Sequence, residues 1–96
     1  MGRRARPTPA RLGEKLLQIR NAFGLSQSEM FRRLDVEDII TYKQISKYEL
    51  SITEPPLSIL LRYARLAGVQ METLVDDELD LPAKLPARPK RSREGV

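Results

Sequence analysis

The chain has 96 residues, 41% hydrophobic and 31% charged, with a formal net charge of +4, the balance of one small globular domain rather than a fibrous or disordered chain. It contains neither cysteine nor histidine, which excludes disulfides, thiolate metal sites, thiol nucleophiles, imidazole acid–base chemistry and a Ser-His triad. No apolar run approaches the ~20 residues of a membrane span, and the basic start Met1–Arg6 leads into Pro7-Thr8-Pro9 rather than an apolar signal segment, so the expected compartment is the cytoplasm.

The charge is unevenly placed. Residues 1–11 carry Arg3, Arg4, Arg6 and Arg11 with no acid, and residues 82–96 carry five basic residues against Glu94 alone. Between them, residues 12–81 hold eight basic and twelve acidic residues, so the centre is mildly acidic. Both ends are rich in proline (Pro7 and Pro9; Pro82, Pro86 and Pro89) and lack apolar periodicity, which reads as two flexible arms. Such arms either keep a small protein dissolved or bind phosphates through counterion release.

The first helix is expected from Leu12, where Leu12, Leu16, Ile19 and Phe23 form one apolar stripe at helical spacing, ended by Gly24. In Leu25-Ser26-Gln27-Ser28-Glu29-Met30, Ser26 and Glu29 have the spacing of a capping box. Leu25 and Met30 flank them as a hydrophobic staple, so a second helix should run from here to about Leu34. Asp35–Ile40 is acidic and then apolar, with no assigned conformation. Thr41 suits an N-cap for a third helix over Tyr42–Leu50. On it Ile45 and Tyr48 share a buried face, and Tyr42, Lys43, Ser46 and Lys47 point outward. Pro55-Pro56 breaks the helical pattern. Leu57, Leu60, Leu61, Ala64 and Ala67 then fall in helical register up to Gly68, and a short last helix around Met71–Val75 adds Leu74 to the core. The fold class is all-α: a bundle of about five short helices.

The ordered series Leu25-Ser26-Gln27, Ile45-Ser46-x-Tyr48-Glu49, Glu54-Pro55-Pro56 and Ala64-x-x-Ala67-Gly68-Val69 resembles the Xre-type, phage-repressor-like helix-turn-helix family over roughly residues 12–76. Together with the charge and proline content of the two ends, this resemblance gives a helix-turn-helix domain over 12–81 between a basic arm (1–11) and a basic tail (82–96). It implies that helix three enters the major groove of double-stranded DNA, with Tyr42, Lys43, Ser46 and Lys47 at base edges. Gln27, at the start of helix two, would bind a phosphate, as a helix N-terminus favours. Arg20 and Glu49 match the family's structural ion pair. A homodimer on repeated half-sites is implied as well. Its candidate surfaces are the last helix and Val75, Leu79 and Leu81, with the acidic run Asp76–Asp80 facing away from DNA.

Three departures stand out. The turn between helices two and three is longer by about four residues, around Glu37–Ile40. Phe31 replaces a usual small alanine. After Glu49 the run Leu50-Ser51-Ile52-Thr53-Glu54 lacks the usual glycine and basic residue, whose phosphate contact Arg3, Arg4, Arg6 and Arg11 could replace. Arg32, Arg33, Arg62 and Arg65 read as solvated surface. The rival function is a protein-interaction module, such as an antitoxin-like or partner-binding helix-turn-helix domain, since fold alone does not fix function. An enzyme is not expected. There is no glycine-rich phosphate loop, metal cluster or cofactor motif, no cofactor is called for, and the carboxylates Asp76, Asp77, Glu78 and Asp80 read as a solvated patch.

Overall fold

Five helices follow one another along the chain: α1 (Leu12–Ala22), α2 (Gln27–Leu34), α3 (Lys43–Glu49), α4 (Leu57–Ala67) and α5 (Met71–Val75). The structure, a computed structural model, describes residues 9–85, and no strand occurs among them. Arg3, Arg4 and Arg6, and the tail beyond Leu85, lie outside the described residues.

The helix ends follow their local chemistry. At the end of α1, Gly24 takes φ +67°, its N–H donates to the Asn21 carbonyl, and the Leu25 N–H donates to the Arg20 carbonyl. This paired pattern closes a helix on a left-handed residue. The capping box of α2 is fully formed: the Ser26 hydroxyl accepts from the Glu29 N–H at 3.1 Å, and the Glu29 carboxylate accepts from the Ser26 N–H at 2.7 Å. These bonds hold the Glu29 carboxyl below its ordinary pKa. Gly68 ends α4 at φ +74°, with Val69 N–H on Ala64 and Gly68 N–H on Arg65. The end of α3 repeats this motif with the wrong residue. Ser51 stands at φ +61°, where a side chain is unfavourable, while the Ile52 N–H reaches the Lys47 carbonyl.

Two expectations about helix detail are corrected. Thr41 does not cap α3 with its side chain: the helix begins at Lys43, Tyr42 precedes it in a helical conformation without a side-chain cap, and Thr41 supplies only its carbonyl, to Gln44. On α4 the buried stripe is Ile59, Leu60, Tyr63, Ala64 and Ala67, whereas Leu57 is 71% exposed and Leu61 also lies outward. Both stripes have helical spacing, and the packing partners decide which one turns in.

The core gathers Leu12, Leu16 and Ile19 of α1, Met30 and Leu34 of α2, Ile45 and Tyr48 of α3, the α4 stripe and Leu74 of α5. Phe31, large where a small residue was noted as usual, packs partly buried against this cluster. α1 and α3 approach closely at Gly13, where a Cβ would lie 2.7 Å from the Glu49 carbonyl and 2.8 Å from that of Tyr48. Only glycine lets α1 and α3 meet this closely.

Polar groups join the start of α1 to α5 and the segment after it. Lys15 is fully buried, and its ammonium donates to the carbonyls of Thr73 and Asp76, both at 2.8 Å, at the C-terminal end of α5. Burial, and then the charge of Arg11, push its pKa below the ordinary lysine value, against the opposing pull of Asp77, Asp76 and Asp80. Just before α1, the carboxylate of Asp77 accepts the backbone N–H groups of Ala10 (2.8 Å) and Arg11 (3.0 Å). The Arg11 guanidinium donates to the Asp77 carbonyl and pairs with Asp80 at 2.6 Å. Arg11, expected in the basic arm, is thus tied to the segment after α5, and Leu81 and Leu85 both pack partly buried against the core.

Candidate nucleic-acid interface

The face predicted to read bases is built from behind. Ile45 and Tyr48 sink into the core and Glu49 is held by a polar network, so α3 is anchored by its inner face. Away from that face Tyr42, Lys43 and Lys47 are exposed and Ser46 is half-buried. These residues cluster toward the start of α3, within about one and a half turns, so their side chains form one short row of donors. The lysine ammonium groups suit guanine O6 and N7, and the Tyr42 and Ser46 hydroxyls can donate or accept.

The network behind them joins three helices. Arg20 of α1 clasps the Glu49 carboxylate with two bonds, Nε to Oε2 at 2.6 Å and Nη2 to Oε1 at 3.1 Å, and reaches the Leu25 carbonyl with Nη1 at 3.0 Å. The Glu49 side chain is only 4% exposed, so this forked pair largely replaces its hydration. The pair therefore ties α3 to α1 and to the entry of α2.

Gln27, expected at a phosphate, is drawn into the same network: its amide nitrogen donates to Glu49 Oε1 at 3.0 Å. One amide hydrogen is thus occupied and the second remains. Gln27 is half-buried at the first position of α2, beside the N–H groups that a helix start leaves without intrahelical partners. The sequence reading paired Arg20 with Glu49 and set Gln27 apart at a phosphate, and the structure brings Gln27 to the same carboxylate. It missed Lys15, for which no local signal exists. It also read Arg62 as plain surface, whereas Arg62 is half-buried, donates to the Leu34 carbonyl at 3.1 Å and so pins the end of α2 to α4.

The surface proposed for self-association is less apolar than another. Val75 and Leu79 are 37% and 38% exposed and Leu81 is partly buried, while Leu50, Ile52 and Leu57, around the α3–α4 connection, are the most exposed large apolar residues among those described. The lining of Pro9, Leu12, Gly13, Tyr48 and Ser51–Pro55 encloses a hollow of only about 140 Å³, small for an organic ligand. No group of three or more acidic residues among the described residues could hold a metal ion. No described helix is long and apolar enough to cross a membrane.

A short helix seated on a capped partner helix, braced from behind and bare in front, defines a helix-turn-helix domain. A profile of the helix-turn-helix family matches residues 16–74, more than half of the chain, and the chain belongs to this family in its Xre-type, DNA-binding regulatory form. No curated protein and no solved structure matches the chain.

Proposed function

We propose that this protein is a sequence-specific regulator that places α3 in the major groove of double-stranded DNA and binds as a homodimer on repeated half-sites. The observation that carries the reading is the bare face of α3, with Tyr42, Lys43, Ser46 and Lys47 outward while Ile45, Tyr48 and Glu49 anchor the opposite side. Lys43 and Lys47 donate to guanine edges, and Tyr42 and Ser46 contact bases or sugar-phosphate. Gln27, with its second amide hydrogen and the start of α2, takes a phosphate. Arg3, Arg4 and Arg6 add phosphate contacts from the N-terminal arm. Arg11 has no place in this set, since its guanidinium is committed to Asp77 and Asp80.

Selection from a random duplex library at near-physiological salt tests the reading. The expected result is enrichment of a defined motif whose repeat spacing reports the dimer, with base preference relaxed in Lys43→Ala and Lys47→Ala. Deleting residues 1–8 should instead weaken all sequences alike and lower the salt slope by up to about 0.9 per lost phosphate contact. Uniform, salt-sensitive binding with no motif would refute sequence-specific reading and shift attention to a protein partner.

A further inference from the structure

The lengthened connection between α2 and α3 is a built element rather than slack chain. It leaves α2 through Asp35, held in the left-handed conformation at φ 60°, and is pinned at once by Val36, which is fully buried. The N–H groups of Ile39 and Ile40 both donate to the Val36 carbonyl, at 2.9 and 3.1 Å, closing one helical turn. Ile40 then packs against the core from the other end. With Val36 and Ile40 as two apolar feet, the intervening Glu37, Asp38 and Ile39 are all turned outward.

What they present is unusual for a surface loop. Ile39 is 51% exposed, as is Tyr42 three residues later. Three residues span at most about 10 Å of chain, so Ile39 stands directly ahead of the first reading residue. Glu37 and Asp38 make no hydrogen bond or ion pair with any described residue. Their charge decides how the segment can sit on DNA. Two unpaired carboxylates against phosphates would be repelled, whereas over base edges they meet the amino groups of cytosine or adenine, which a carboxylate accepts from. An apolar side chain beside them has its natural match in the major groove too, the thymine methyl group.

We propose that residues 36–40 form a second base-reading element, in which Ile39 packs on a thymine methyl group beside the bases read by α3, and Glu37 and Asp38 lie over base edges rather than phosphates. This rests on α3 being the reading helix, and it extends the readout by an element that precedes that helix. The turn is held at both ends, so Ile39 meets the groove in one conformation and little ordering is lost on binding.

The test combines a protein change with a DNA change. After a preferred duplex has been selected, each thymine is replaced in turn by deoxyuridine, which removes the methyl group alone. At one position, distinct from those altered by Lys43→Ala, the exchange should weaken wild-type binding about three- to fivefold, near the value of one buried methyl group. It should have no effect on Ile39→Ala, whose fold is safe because the side chain is half exposed. Glu37→Gln with Asp38→Asn should leave binding to unrelated sequences unchanged. If every uracil exchange costs wild type and Ile39→Ala equally, or if neutralising the carboxylates tightens binding to all sequences, the segment faces solvent or phosphate and the proposal fails while α3 reading stands. A wild-type chain with no preferred duplex overturns both.

Discussion

Gly13→Ala sets two effects of opposite sign against each other, and the structure decides between them. Alanine is the better helix former by up to about 1 kcal/mol, less in a first turn, where Gly13 lies. Against this, the new Cβ would meet the Ser51 Oγ at 2.5 Å, the Glu49 carbonyl at 2.7 Å and the Tyr48 carbonyl at 2.8 Å. The hydroxyl can rotate away, but the two carbonyls belong to the last turn of α3 and cannot. To restore ordinary contact at about 3.4 Å with both, α1 and α3 must separate by roughly 0.7 Å, and overpacking of this kind costs about 1–3 kcal/mol. The net expectation is a loss of about 1–2 kcal/mol, or a melting temperature lower by roughly 5–15 °C in a domain of this size. Urea and thermal unfolding followed by circular dichroism would measure it. Adding Ser51→Gly removes the hydroxymethyl group, one of the three neighbours of the new Cβ, but leaves both carbonyls in place, so the double variant should still be less stable than Ser51→Gly alone. A Gly13→Ala protein as stable as wild type would show that the helices are not held together at this point.

Three further outcomes follow from the same structure. Ser51→Gly alone should stabilise by about 1 kcal/mol, since Ser51 occupies a left-handed position that glycine adopts without strain, and an unchanged or lower denaturation midpoint would contradict that. Arg20→Met should cost about 3 kcal/mol by leaving the Glu49 carboxylate buried with Gln27 as its remaining side-chain donor, and adding Glu49→Gln should recover part of it; a single variant within about 0.5 kcal/mol of wild type would remove the pair from the account of stability. The backbone N–H groups of Arg11 and then Ala10 hold the Asp77 carboxyl below its ordinary pKa. A carboxyl whose folded pKa is depressed stabilises above its unfolded pKa and loses that contribution as pH falls through the folded one. Asp77→Asn should therefore flatten the loss of melting temperature below about pH 4, with the bonded Glu29 carboxyl leaving a remainder, and identical acid limbs for variant and wild type would show that the clasp at α1 carries no stability.

The five helices were legible in the residues because their signals act over three or four positions. The reciprocal bonds of Ser26 and Glu29, the left-handed glycines after α1 and α4, and the apolar spacing of Leu12, Leu16 and Ile19 all require only neighbours in the chain. The outward row on α3 was legible for the same reason, once Ile45 and Tyr48 marked the inner face. Where two stripes both fit a helix, as Leu57 with Leu61 and Ile59 with Tyr63 do on α4, only the helices packed against it could choose. Lys15 looks like any surface lysine until carbonyls 58 and 61 residues away close around it, and Arg11 looks like part of a loose arm until Asp77 and Asp80 arrive. By itself, then, the sequence determined which segments are helical and which face of α3 is bare, because short-range bonds and periodicity are local. Tertiary structure alone decided the partners of Lys15 and Arg11 and which stripe of α4 turns inward, because those depend on surfaces that meet only when the chain has folded.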